Sequence, residues 1–419
     1  WWPYMKEFTT YLARCSYMLE RGRSVSDVLW YLGDEISHKP DQEYPFPAGY
    51  KYDYCNPDVL LNRLSVKDGY IVTPEDLSYR FLWIPENKRM LPETLEKLYS
   101  LIEQGATVVA NAPQSIATLV GGEQSQTRFE QAVKAIWGTA KQGAITHLGK
   151  GRLLSGATLE EALHILDIKP DVCGNVRWIH RQVKGTDWYF VTPLKQASFN
   201  GKVKFKAQGA AELWNPVTGE ITPLKVEREG EYATVQLDMP KAGSCFVVFN
   251  HDKKQKNPEA VTYKHTQSIE GKWLVEFPEG WGAAPRLEIE TLVPWCNMPL
   301  SEEGKAFSGS VTYSTTFQMP DEGKQLMLDL GKVSMIAEVT LNGKKLRTLW
   351  CTPYTLDITN DVKSGDNTLQ VKVTSTWFNR LVYDAALPEA DRKTWTISGP
   401  SAGSPLKEYG LLGPVTLKY

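Results

Sequence analysis

No apolar run in this 419-residue chain approaches the roughly 20 residues that a membrane helix needs, so no membrane partner is expected. An excess of one charge is also missing. Lys and Arg number 47 against 49 Asp and Glu, well mixed along the chain, and the net charge of -2 favours neither nucleic acid nor an anionic surface. The six cysteines, Cys15, Cys55, Cys173, Cys245, Cys296 and Cys351, are scattered. None forms a C-x-x-C pair or stands at metal-ligand spacing from a histidine, so they read as buried free thiols and leave the redox compartment open. His38, His147, His164, His180, His251 and His265 share no metal-binding spacing. No cofactor is expected in this chain.

What is present is a globular composition, 42% hydrophobic and 23% charged, unusually rich in aromatics with 14 Trp and 19 Tyr. A chain of this length should divide into two to four domains. It opens on Trp1, and Phe8, Tyr11, Leu12, Cys15, Met18 and Leu19 then recur with helical spacing. A helix with so broad an apolar face must bury it against something. The expectation is therefore the carboxyl-terminal piece of a longer protein, opening on a helical segment over 1–24.

From Val25 to Pro170, apolar runs alternate with helical patterns. The expected strands are Val28–Leu32, Tyr79–Ile84, Thr107–Ala110 and Arg152–Leu154. The expected helices are Pro57–Leu64, Pro92–Gln104, Ser125–Trp137 and Leu159–Leu166. Asn56-Pro57 is a cap followed by proline at the first helical position, and Thr158 with Glu161 fits a capping box. This alternation predicts a mostly parallel α/β sheet over 25–170. Beyond Pro170 no helical period persists. Trp188–Val191, Val203–Ala207, Ala233–Leu237 and Cys245–Phe249 predict an antiparallel β-sandwich over 171–250. The polar stretch 251–266 reads as a linker, and 267–419 as a jelly roll in which Asn342-Gly343 marks a hairpin.

One segment draws attention for chemistry. Tyr44-Pro45-Phe46-Pro47-Ala48-Gly49-Tyr50-Lys51-Tyr52-Asp53-Tyr54-Cys55-Asn56 interleaves aromatics with one Asp and one Asn, and its prolines and glycine argue against regular structure. Aromatic faces with a few fixed polar groups suit a sugar ring, whose C–H faces are apolar and whose rim is hydroxyl. Tyr50, Tyr52, Asp53 and Asn56 are thus the substrate-binding candidates. Each has a bland alternative: loop packing for the tyrosines, a turn for Asp53, a helix cap for Asn56. Trp295, Trp377 and Trp395 are candidates for stacking on sugar, against the commoner core role of tryptophan in a sandwich. Arg380 beside Asn379 would bind a hydroxyl or pair with an acid.

Three blocks together resemble glycoside hydrolase family 106, the α-L-rhamnosidases. The first runs Trp1-Trp2-Pro3-Tyr4, Tyr11-Leu12-Ala13-Arg14-Cys15-Ser16-Tyr17 and Asp27-Val28-Leu29. The second is Gly49–Asn56 running into Leu60–Gly69. The third is Trp377-Phe378-Asn379-Arg380-Leu381, Arg392-Lys393-Thr394-Trp395 and Gly410-Leu411-Leu412-Gly413-Pro414-Val415. The resemblance implies a catalytic (β/α)8 barrel ahead of this region, carrying the acid and base carboxylates and an associated calcium. It implies a flavodoxin-like, glutamine-amidotransferase-like layer at 25–170 and a galactose-binding-like jelly roll at the end. It also implies a carbohydrate substrate, the protein's own barrel as partner, and a secreted or periplasmic setting. Glycoside hydrolysis needs two carboxylates held across the scissile bond. The isolated acids here are Asp34-Glu35, Asp53, Glu75-Asp76 and Asp384, and none makes an evident pair. Amidotransferase chemistry needs a cysteine on a tight strand-to-helix turn, and Val108-Val109-Ala110-Asn111-Ala112-Pro113 has none. Two functions therefore stand: the non-catalytic carboxyl-terminal region of a rhamnosidase-like hydrolase, or a stand-alone carbohydrate-binding protein.

Overall fold

The structure of the protein is a computed structural model that describes residues 1–35, 45–85, 88–258, 262–319 and 325–419. The chain forms two compact units, Ser16–Pro258 and a second composed of Trp1–Cys15 with Glu259–Tyr419.

The first unit contains a sheet of β1 (Val28–Tyr31), β2 (Tyr52–Cys55), β3 (Phe81–Ile84), β4 (Thr107–Ala110), β5 (Ala144–Leu148) and β6 (Gly151–Ser155). Five strands run parallel in the order β2-β1-β3-β4-β6, and β5 pairs antiparallel at the far edge. Every residue of β1, β3 and β4 is buried, as expected for continuous apolar strands covered on both faces. The pleat sends alternate side chains to two different cores. Leu29, Tyr31, Leu82, Ile84 and Val108 meet Leu60, Leu98, Ile102 and Phe129 on helices α2 (Pro57–Arg63), α3 (Pro92–Gln104) and α4 (Gly122–Trp137). On the other face Val28, Trp30, Phe81, Trp83 and Val109 meet Leu159, Ala162 and Leu163 of α5 (Leu159–Ile165). That face has one helix where its opposite has three. The remaining cover comes from Phe46, Tyr50, Tyr52 and Tyr54.

Here the structure corrects the sequence reading. The segment 44–56 is not irregular throughout, because Tyr52–Cys55 is a strand paired in parallel with β1. Pro45, Pro47 and Gly49 all precede that tetrapeptide, so nothing within it lacks an N–H for the ladder. Tyr44 and His38 lie outside the described residues. The caps are as the sequence implies. Asn56 accepts from Val59 N–H at 2.9 Å, and Thr158 with Glu161 forms a full capping box.

Still in this unit, two antiparallel sheets follow. One is built on β7 (Val176–Val183), β8 (Thr186–Pro193), β10 (Ala210–Trp214) and β12 (Cys245–Asn250). The other is built on β9 (Phe199–Phe205) and β11 (Tyr232–Met239). Tyr189, Val191, Val203, Phe205, Val235 and Phe249 fill the space between them. Arg181 on β7 donates to the carbonyls of Glu20, Arg21 and Gly22. It thereby satisfies backbone acceptors where the opening helix ends.

In the second unit a six-stranded sheet comprises β13 (Trp273–Glu276), β14 (Arg286–Ile289), β15 (Ser310–Gln318), β16 (Ile336–Leu341), β17 (Lys344–Leu349) and β18 (Asp366–Thr374). Its order is β14-β13-β15-β18-β16-β17. A four-stranded sheet of Thr266–Ser268, Met327–Asp329, Thr355–Asp357 and Thr416–Lys418 faces it across one core that includes Trp273, Val311, Tyr313, Leu328, Val371 and Leu417. The β16–β17 turn has Asn342 at φ 52° and Gly343 at φ 79°, the two left-handed residues a two-residue hairpin requires. A short helix, α6 (Phe378–Ala385), follows β18. In the opening helix α1 (Met5–Glu20), Cys15 is buried, while Phe8 and Tyr11 set their rings edge-on against Trp350. Trp1, Trp2, Phe8 and Leu12 remain exposed.

Candidate functional site

The aromatic segment lies along the outer edge of the parallel sheet. Trp30 is its anchor, with ring centroids 5.3 Å from Tyr52, 5.1 Å from Tyr54 and 4.8 Å from Trp83. Phe46 packs on Tyr52 at 4.4 Å. Tyr50 donates its hydroxyl to the Ile168 carbonyl at 2.9 Å. Asp53 faces the opposite way from Tyr52 and Tyr54, and accepts the Tyr79 hydroxyl at 3.0 Å. Tyr50, Tyr52 and Asp53 are half-buried, so each keeps an accessible edge. The Asn56 carboxamide oxygen is committed to the cap of α2.

The other acids singled out in the sequence are held in structural roles. Asp34 accepts from the Tyr31 hydroxyl, Leu91 N–H and Thr94 hydroxyl, and so caps α3 from outside the helix. Glu35 pairs with Arg89, Glu75 with Arg63, and Asp76 with Arg23. None of these contacts sets two carboxylates across a cleft. At the end of β4, where an amidotransferase would hold its nucleophile, Asn111 instead accepts from Gly156 N–H at 2.8 Å. Cys55 is fully buried, and burial pushes its thiol up to about 12, far from the thiolate a nucleophile needs.

A buried polar chain ties β7 and β8 to their surroundings in the same unit. His180 contacts Asp171 through Nδ1 at 2.7 Å and Asp187 through Nε2 at 3.0 Å. Tyr189 donates to Asp171, and His251 reaches Asp187 at 2.9 Å. Burial opposes the imidazolium, but the flanking carboxylates outweigh it and raise His180 to about 9. Asp27 is raised to about 6 by burial first and by Asp171 second. Such a cluster looks catalytic by composition. Its acids and imidazole are nearly inaccessible and satisfied by one another, so it binds the fold together.

In the second unit the three candidate tryptophans separate. Trp295 is wholly buried and donates its indole N–H to Tyr313 Oη at 2.6 Å. No sugar can stack on it, and the expectation for that residue is corrected. Trp377 and Trp395 are exposed, at 43% and 76%. Arg380, on the turn of helix that follows Trp377, is 1% exposed. It donates to Asp384 Oδ1 at 2.6 Å and to Glu303 Oε1 at 2.7 Å. Asn379 clamps the backbone of Lys407 with both carboxamide atoms. The Trp-Phe-Asn-Arg-Leu motif is thereby explained as an anchor. No group of three or more His, Cys, Asp or Glu among the described residues is arranged to hold a metal ion.

Residues 1–228, more than half the chain, match the family described as alpha-L-rhamnosidase, glycoside hydrolase family 106. The chain belongs to that family. Residues 304–402 also match the glycosyl hydrolase 2 galactose-binding domain-like family. Among solved structures, a rhamnosidase from Novosphingobium sp. PP1Y superposes with a TM-score of 0.87 at 30% identity, over 99% of this chain and 41% of that one. A putative beta-glucuronidase of Formosa agariphila is 22% identical over 622 residues, 93% of this chain and 52% of its own length. The chain thus spans about half the length of the curated relative it matches and less of the rhamnosidase.

Proposed function

We propose that this chain is the region of an α-L-rhamnosidase-type glycoside hydrolase that follows its catalytic barrel. The observation carrying this reading is a match over 99% of the chain to only 41% of a rhamnosidase, while Asp34, Glu35 and Glu75 are bound in a cap and ion pairs. The parallel sheet, ordered β2-β1-β3-β4-β6, serves as a flavodoxin-like scaffold without amidotransferase chemistry. The accessible edges of Tyr50 and Tyr52 on one face of the β2 edge, and of Asp53 on its other face, border the substrate site, with Asn56 acting on them only through α2. The carbohydrate substrate, the barrel as intramolecular partner with its calcium, and a secreted or periplasmic setting all belong to the same proposal.

Kinetics on an aryl α-L-rhamnoside test this border. In the longer enzyme, Asp53→Ala and Tyr52→Ala should raise KM severalfold while Asn56→Ala leaves kcat and KM in place. Unchanged kinetics in both Asp53→Ala and Tyr52→Ala would make the segment purely structural.

A further inference from the structure

The loop joining β13 to β14 contains Pro278-Glu279-Gly280-Trp281-Gly282, and it is fixed on both sides of the tryptophan. The Gly280 carbonyl accepts from Lys393 Nζ at 2.8 Å, and the Gly282 carbonyl accepts from Ser301 Oγ at 2.6 Å. Gly282 sits at φ 77°, and a Cβ there would lie 2.5 Å from Glu303 Cγ, so only glycine allows this approach. Trp281 is consequently held in one place. Its ring centroid is 5.4 Å from that of Trp377, 5.3 Å from the Arg380 guanidinium and 5.6 Å from Lys393 Nζ.

Beside this aromatic pair stand two charged groups with unused capacity. Glu303 Oε1 takes both Arg380 and Lys393 at 2.7 Å, whereas Oε2 has no hydrogen bond among the described residues. Lys393 and Arg380 hold the Glu303 carboxyl below its ordinary range, so Oε2 is an ionised acceptor. Lys393 has donated two of its three N–H groups, to Glu303 and to Gly280. Beneath them the Nε of Arg380 is buried and finds no partner, although both terminal nitrogens are paired. A fixed acceptor and a fixed donor side by side match the vicinal hydroxyls of a pyranose, and an indole pair matches its C–H face.

We propose that Trp281, Trp377, Glu303 and Lys393 form a binding site for a neutral hexopyranosyl residue of a glycan. The ring would lie against the indoles, with one hydroxyl donating to Glu303 Oε2 and its neighbour accepting from Lys393 Nζ. Neutrality follows from charge balance: Arg380 and Lys393 are matched by Asp384 and Glu303, which leaves no cation free for a carboxylate. Because the anchors are already immobile, binding orders few side chains. The site requires no hydrolytic activity and stands independently of the rhamnosidase reading.

The test is a titration of the 419-residue chain with methyl α-L-rhamnopyranoside, methyl β-D-galactopyranoside and methyl β-D-glucuronide, read by saturation-transfer NMR and tryptophan fluorescence. At least one neutral glycoside should bind at about millimolar Kd, and Trp377→Ala and Lys393→Ala should each weaken it about tenfold or more with thermal unfolding unchanged. If an alanine variant unfolds, Lys393→Met keeps the stem against Trp281 and removes only the donor. No saturable binding of either neutral glycoside, equal binding by the variants, or preference for the glucuronide would overturn the proposal. Hydrolysis is not read in this experiment, so its failure leaves the family-based reading untouched.

Discussion

Two buried ionic clusters, one in each unit, use similar parts to opposite ends. Around His180, two carboxylates and a tyrosine satisfy one another beneath the surface, with the exposed His251 closing the chain at Asp187. Around Arg380 the charges are paired just as closely, but an acceptor oxygen and a donor remain open next to exposed tryptophan. A closed network stabilises a fold and an open one also has capacity for a ligand. Partner accounting atom by atom therefore separates them, where residue composition would have favoured the histidine cluster.

The comparison can be broken by removing parts from each side. The largest effect is expected for Asp384→Ala, which strands the 1% exposed Arg380 without its inner partner. Losing one member of a buried pair costs about 3–5 kcal/mol, readable as a fall in the denaturation midpoint of the second unit. Next comes pH. His180 is raised to about 9 in the folded chain from an ordinary 6.5. Its contribution is complete below 6.5 and is lost as pH rises through 9, about 3 kcal/mol in all. Asp27, raised to about 6, acts in the same direction at lower pH, with stability lost as pH climbs from about 4 to 6. A unit of Ser16–Pro258 whose stability is flat between pH 6.5 and 9 would contradict a charged His180. Asn56→Ala should cost about 1 kcal/mol by uncapping α2. Smallest is Lys202→Ala: its partner Glu227 is as exposed as it is, and the equilibrium unfolding midpoint should not move measurably.

Much of this was legible in the sequence where local rules act alone. Asn56-Pro57, Thr158 with Glu161, and Asn342-Gly343 each announce a cap or turn through bonds made within a few residues, and each is present. The strand Tyr52–Cys55 is hidden, because prolines immediately before it suggest irregularity and pairing with Val28–Tyr31 is a long-range event. Trp295 and Trp377 look alike in sequence, yet one lies beneath Tyr409 and Phe307 and the other at the surface, a difference set by packing alone. Trp281, Glu303 and Lys393 are far apart along the chain and meet only in the fold. The one local signal was Gly282 beside Trp281, a mark of close backbone approach.

The proposal places the bond-breaking groups on a barrel that precedes these residues in a longer protein. Its most direct test is the turnover of an aryl α-L-rhamnoside by the purified chain beside a longer protein in which the same residues follow a barrel. The account predicts release of the aryl group by the longer protein and none above background by the chain alone. Equal rates per molecule would contradict it.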